Sequence, residues 1–274
     1  MITVDNLTVG FGGQVVLDGI RFTIGRRERV GLVGRNGSGK TTLLNLLTGD
    51  LSPAQGSLTF PRDYRVGCLR QGLAFNGATV RDEAAGVMAS GPEVTGARSE
   101  AAWTAGEVPE TEMWRVEKVL FGLGFGPGDL DKPPRQLSGG FKLRLKLASV
   151  LLSDPDLLLL DEPTNYLDIL CIRWLESTLR SWKGELVLIT HDRGFMDRVC
   201  THTMIIHRKK IRKIAGGTSM LYEQIAKEEE VHEKTRLNEE KRRRDTERFI
   251  ERFRAKARLA GLVGYRDDNW FCNI

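Results

Sequence analysis

No stretch of this 274-residue chain is apolar enough to cross a membrane. A spanning helix needs roughly 20 apolar residues in succession, and LLLL at 157–160 is among the longest runs present. The start, MITVDNLTVGF, lacks the basic-then-apolar layout of a signal peptide and alternates as a strand does. A cytoplasmic location is the expectation. Cysteine is scarce and scattered: Cys68, Cys171, Cys200 and Cys272 form no CxxC pair. That pattern indicates reduced, structural thiols rather than a disulfide framework. No internal repeat is visible. Between Leu221 and about Leu259 there is neither proline nor glycine, so nothing in that stretch breaks a helix.

What is present is the balance of an ordinary globular protein, 41% hydrophobic and 28% charged, long enough to bury a full core in one or two domains. The net charge of +5 is unevenly placed. Residues 236–258 carry ten Lys/Arg against five Asp/Glu, so that segment alone holds 10 − 5 = +5. Such a patch suits a polyanionic partner or a solvated helix face, and composition does not choose between them.

Along the chain, residues 1–70 read as short strands (ITVDNLTVGF, VVLDGIRFTI, RVGLVG, GSLTF, YRVGCL) with one helix after a Gly-rich loop. Residues 72–135 are richer in Gly, Ala and Glu, with a helical apolar pattern in EMWRVEKVLFGLG. A helix to about Leu152 follows, then apolar strands LLLL and LVLIT separated by helices, and strands TMIIH and KIRKIA. Apolar strands alternating with helices predict an α/β fold with a parallel sheet covered on both faces. The expected organisation is a domain over 1–216 with a helical subdomain over about 72–152, a charged helical linker over 217–262 and an irregular tail over 263–274. In the linker, 21 of residues 227–258 are charged, too many for a core helix.

GRNGSGKT at 34–41 fits GxxxxGK[ST] after a strand and before an apolar helix, the setting a phosphate-binding loop requires. Its candidate nucleotide contacts are Gly34, Asn36, Gly37, Ser38, Gly39, Lys40, Thr41 and Thr42. Backbone N–H groups from Gly37 to Lys40 would cradle a β-phosphate, Lys40 would neutralise β- and γ-oxygens, and the Thr41 hydroxyl would ligate Mg²⁺. LLLLDEP at 157–163 ends an apolar strand in acid, placing Asp161 to hold Mg²⁺ and Glu162 to polarise an attacking water. His191, after LVLIT, reaches the same edge, where it can donate to a γ-phosphate or serve structurally. Gln71 ends another strand. Phe11 can stack on adenine or belong to the core. Cys200, His202 and His207 invite a metal reading, but strand spacing turns the two histidines to opposite faces. In LSGGFKLR, Ser138, Gly139 and Gly140 open a helix, a second anion-type site distant in sequence from the first.

In this order, the P-loop, Gln71, LSGG at 137–140, LLLLDEP, NYLD at 165–168 and His191 resemble an ATP-binding cassette (ABC) ATPase over roughly residues 1–215. The resemblance implies a P-loop NTPase fold, ATP with Mg²⁺ (Thr41, Gln71 and Asp161 at the metal), and catalysis by Glu162, His191 and Lys40. It also implies a second cassette, because the signature residues Ser138, Gly139 and Gly140 of one cassette close over ATP held by another. DEPTNYLD and LSGGFKLRLKLA are similar to the ABC-F family, with Tyr166 where that family has histidine. RFIERFRAKARLAG resembles the start of its interdomain linker, which implies ribosomal contact (rRNA or tRNA phosphate) through 236–258 and no reading of DNA sequence. On this resemblance the chain corresponds to a first cassette plus the first linker helix, active only with a second cassette. A transporter's ATP-binding subunit and a non-hydrolysing ATP-binding half-protein are the other readings.

Overall fold

The computed structural model describes residues 1–69, 75–90 and 110–259. Two compact units divide between Leu221 and Tyr222. The first holds two sheets. Strands β1 (Ile2–Phe11), β2 (Gln14–Ile24) and β4 (Gln55–Thr59) form an antiparallel sheet in the order β2-β1-β4. The larger sheet runs β5-β6-β7-β3-β8-β9, from β5 (Val66–Cys68), β6 (Leu157–Asp161), β7 (Glu185–Ile189), β3 (Arg29–Gly34), β8 (His202–His207) and β9 (Lys210–Ala215). All its pairings are parallel except β8 with β9.

The four consecutive leucines of β6 show why the layers stack as they do. Side chains alternate between faces of a strand. Leu157 and Leu159 join a core shared with β1, β2 and α1 (Lys40–Leu47), whereas Leu158 and Leu160 join a core on the opposite face. That second core is filled from α2 (Val80–Ser90), α3 (Glu110–Gly122), α4 (Gly139–Leu152), α5 (Ile169–Arg180) and α6 (Arg193–Val199). The sequence pattern does not reveal that β1, β2 and β4 form a sheet of their own. Their pairing is non-local, and the register of β1 with β2 shifts three times.

The long helix α7 (Thr218–Leu259) starts inside the first unit. There Thr218 is fully buried, and its N–H and hydroxyl both donate to the Asp197 carboxylate on α6, at 2.8 and 3.1 Å. In the second unit, the side chains of residues 238–256 are all exposed. They include Phe249 and Phe253, whose rings stack with centroids 6.4 Å apart. No helix among the described residues is long and apolar enough to cross a membrane.

Gly122 ends α3 where it meets α5, and a β-carbon there would overlap the indole of Trp174. Replacing glycine in a helix by alanine ordinarily gains at most about 1 kcal/mol, but overpacking a filled site costs about 1–3 kcal/mol. Gly122→Ala is therefore expected to lower the midpoint of urea unfolding. An unchanged or raised midpoint would show that the α3–α5 contact yields.

Candidate active site

Parallel strands deliver their carboxyl ends to one edge, so β3, β6 and β7 bring the phosphate-loop motif, Asp161–Glu162 and His191 together. The loop between β3 and α1 turns with Gly37 at φ +77° and Gly39 at φ +105°, a region open to glycine and costly for other residues. The Ser38 N–H donates to Arg35 O at 3.1 Å, which closes the loop on itself. Lys40 Nζ donates to Gly34 O and Arg35 O at 2.9 and 3.1 Å, so its ammonium lies over the loop. Asn36, Gly37 and Thr41 are exposed, while Gly34, Ser38 and Thr42 are half-buried. Phe11, at the end of β1, is exposed rather than part of the core.

On the neighbouring strand, burial pushes the Asp161 carboxyl above its ordinary range, while the charges of Lys40 and His191 draw it back. The Glu162 N–H donates to Ile189 O at 2.8 Å, tying this residue to the end of β7. Glu162 holds φ +49°, a strained value for a residue with a side chain. Its Oε2 accepts from the His191 N–H at 3.4 Å. The His191 ring is exposed, and its Nε2 lies 3.5 Å from Glu162 Oε1 without completing a hydrogen bond.

Two polar atoms decide what this edge can hold. Ser38 Oγ and Glu162 Oε1 are buried and have no hydrogen-bond partner. A buried hydroxyl or carboxylate oxygen left without a hydrogen bond costs free energy, and a partner for either atom would recover it. A phosphate oxygen can accept from the Ser38 hydroxyl, and a water beside Glu162 can donate to its carboxylate. Among the described residues no group of three or more His, Cys, Asp or Glu is placed to hold a metal. A cation here would therefore rely on phosphate oxygens beside Asp161 and the Thr41 hydroxyl, an oxygen set that fits Mg²⁺. Cys200, His202 and His207 do not gather with one another: Cys200 and His202 stand at the start of β8, whereas His207 ends it beside Gly34. Burial pushes the Cys200 thiol up to about 12, and His202 turns toward Glu28 at 3.5 Å.

Ser138, Gly139 and Gly140 stand at the start of α4, a different element from the loop at 34–41. Ser138 caps this helix by accepting from the Phe141 N–H at 3.5 Å, and a β-carbon on Gly140 would touch Tyr166 at 3.4 Å. Gln71 lies outside the described residues, as does the expected tail at 263–274. The segment 162–168 carries a feature that sequence reading missed. Its Tyr166 has φ +67°, and its carbonyl is gripped by Arg144. The basic residue was visible within LSGGFKLR, but its partner is a backbone atom 22 residues away.

A family model described as ABC transporter matches residues 17–165, more than half of the chain. The chain belongs to this family. A second model with the same description matches residues 204–267. The relatives include the Probable ATP-binding protein YheS of Escherichia coli K12, 34% identical over 277 residues, covering 95% of this chain and 43% of that protein. Human ATP-binding cassette sub-family F member 3 is 33% identical over 291 residues, covering 96% of this chain and 39% of that protein. The chain thus spans less than half the length of these relatives. Among solved structures, the ATP binding subunit of an ABC transporter aligns with a TM-score of 0.66 at 23% identity, covering 82% of this chain and 93% of that one. A dimeric ATP-binding cassette in a post-hydrolysis state, bound to ADP and Pi, aligns at 0.61 and 20%, covering 78% and 98%. At these identities the likeness shows the fold, the α/β cassette that the motifs lead one to expect. The sub-family F member among the relatives matches the resemblance carried by DEPTNYLD.

The same segment of the cassette ends at a helix cap that sets its stability. Asp168 accepts from the Leu170 and Cys171 N–H groups at 3.0 and 2.9 Å. The Cys171 bonds, backbone first, hold its carboxyl below the usual range. A carboxyl lowered by folding contributes stability that is complete above its unfolded pKa, about 3.9, and fades as pH falls through the lower folded value. Asp168→Ala should cost about 1 kcal/mol at neutral pH. That difference should shrink below about pH 4 when the two proteins are compared by chemical unfolding.

Proposed function

We propose that this cassette binds ATP with Mg²⁺, hydrolyses it when paired with a second cassette, and presents α7 to ribosomal RNA. The observation that carries the reading is the pair of unpartnered atoms, Ser38 Oγ and Glu162 Oε1, at one sheet edge. Nucleotide would exchange the contacts of Lys40 with its own loop for β- and γ-phosphate oxygens. The N–H groups from Gly37 to Lys40 would hold the β-phosphate, with Gly34, Asn36 and Thr42 completing the loop and the exposed Phe11 beside the base. Bound Mg²⁺ would supply charge neutralisation at the β- and γ-oxygens, held by Thr41 and Asp161, with Gln71 expected nearby. Glu162 would accept a proton from the attacking water, a role that suits a carboxylate that accepts from the His191 N–H and belongs to a residue whose own backbone N–H is tied to Ile189 O. His191 would donate to the γ-phosphate.

Ser138, Gly139 and Gly140 lie at the start of α4 rather than in the loop at 34–41, and a β-carbon on Gly140 would meet Tyr166, which supports their use on nucleotide held by another cassette. A solved neighbour with this fold is dimeric. The basic charge at 236–258 and the exposed side chains of residues 238–256 support a phosphate-rich partner, and the resemblance of RFIERFRAKARLAG to the ABC-F interdomain linker favours the ribosome over a membrane channel.

Two measurements test this reading. Steady-state phosphate release should rise as the square of protein concentration, and Glu162→Gln should lower it about 100-fold while ATP stays bound. No turnover at any concentration would overturn the hydrolytic claim. In cell extract with ATP, Glu162→Gln protein should sediment with ribosomes at low salt and leave them at high salt. Sedimentation with membranes instead would favour a transporter subunit.

A further inference from the structure

The side chain of Arg144 is spent on backbone rather than on solvent. It is only 13% exposed, although it carries a full charge. Nε and Nη2 both donate to the Tyr166 carbonyl, at 3.0 and 2.7 Å, and Nη1 donates to Leu123 O at 3.1 Å. Nη1 also lies 3.5 Å from the Asp168 carboxylate. The guanidinium stacks over Phe141, 4.9 Å from the ring centroid. Hydrogen bonds from a charged donor are stronger than neutral ones, and a rigid planar fork fixes direction as well as distance.

The segment it grips is under strain. Glu162 and Tyr166 hold φ of +49° and +67°, two non-glycine residues in the left-handed region within five positions. Such conformations persist only where their surroundings over-determine them. At its start the segment is tied to β7 through the Glu162 N–H. The backbone from Glu162 to Leu167 closes local turns, Asn165 N–H to Glu162 O and Leu167 N–H to Thr164 O, each at 3.2 Å. Arg144 supplies the tie at the far end.

We propose that Arg144 is a positioning residue: by clamping the Tyr166 carbonyl it holds the 162–168 loop, and with it the Glu162 carboxylate, in the geometry that hydrolysis needs. The clamp also sets Tyr166 against Gly140, which joins the start of α4 to the loop after Glu162. This inference rests on the proposed role of Glu162. Lysine cannot replace the arginine, because one ammonium cannot serve the Tyr166 and Leu123 carbonyls and stack on Phe141 at once.

The test compares wild type, Arg144→Lys and Arg144→Gln by thermal unfolding, hydrogen exchange and steady-state phosphate release. Both variants should remain folded. Amides of residues 164–168 should exchange at least tenfold faster than in wild type. The kcat for ATP should fall at least tenfold, with KM changed less than about twofold. Unchanged exchange in that loop, or kcat within twofold of wild type, would overturn the proposal. Loss of folding in both variants would also overturn it, since Arg144 would then be a structural brace. Wild-type protein without turnover would remove the hydrolytic reading of Glu162, while the exchange comparison would still decide whether Arg144 holds the loop.

Discussion

A strand with no polar face can lie only between two layers, and the four leucines of β6 impose that constraint on the cassette. Each is fully buried, two toward the antiparallel sheet and α1 and two toward the helices. With both faces closed, the polar residues that follow can emerge only at the strand's end. Asp161 and Glu162 therefore arrive at the carboxyl edge of the sheet beside the ends of β3 and β7. The candidate site follows from burial before any catalytic chemistry is considered.

The second constraint is polar. The edge gathers a lysine folded over its own loop, a carboxyl raised by burial, and two buried oxygens without partners. The buried carboxyl and the two oxygens without hydrogen bonds are each unfavourable alone, and a phosphate with its cation would answer them together. Strain at Glu162 and Tyr166 belongs to the same pattern. It is held by contacts from β7 and α4 rather than relieved within the loop.

Where chemistry follows local spacing, the sequence was readable. The phosphate loop, the acidic end of β6 and the Ser138 cap of α4 each announce themselves within eight residues. Partners distant along the chain were not readable. The antiparallel sheet needs β1 to find β4 about 50 residues away, with a shifted register that no periodicity encodes. Arg144 appears in sequence as one more charge on a helix, because the acceptor that gives it meaning is a backbone carbonyl. The aromatic at position 11 could be placed at a strand end but not assigned to core or surface, since exposure depends on packing. The polar run after Leu221 was legible as helix from composition alone. Its root was not, because Asp197 and Thr218 meet only once α6 is folded.

Nucleotide at this edge is expected to bond the Ser38 hydroxyl, which has no hydrogen-bond partner. The most direct measurement is calorimetric titration of the purified chain and of Ser38→Ala with ATP and Mg²⁺. A hydrogen bond to a charged group contributes about 1.5–3 kcal/mol. Saturable one-to-one binding, competed by ADP and weakened about tenfold or more by the substitution, is the predicted result. Absence of saturable binding, or equal affinity in the two proteins, would contradict it.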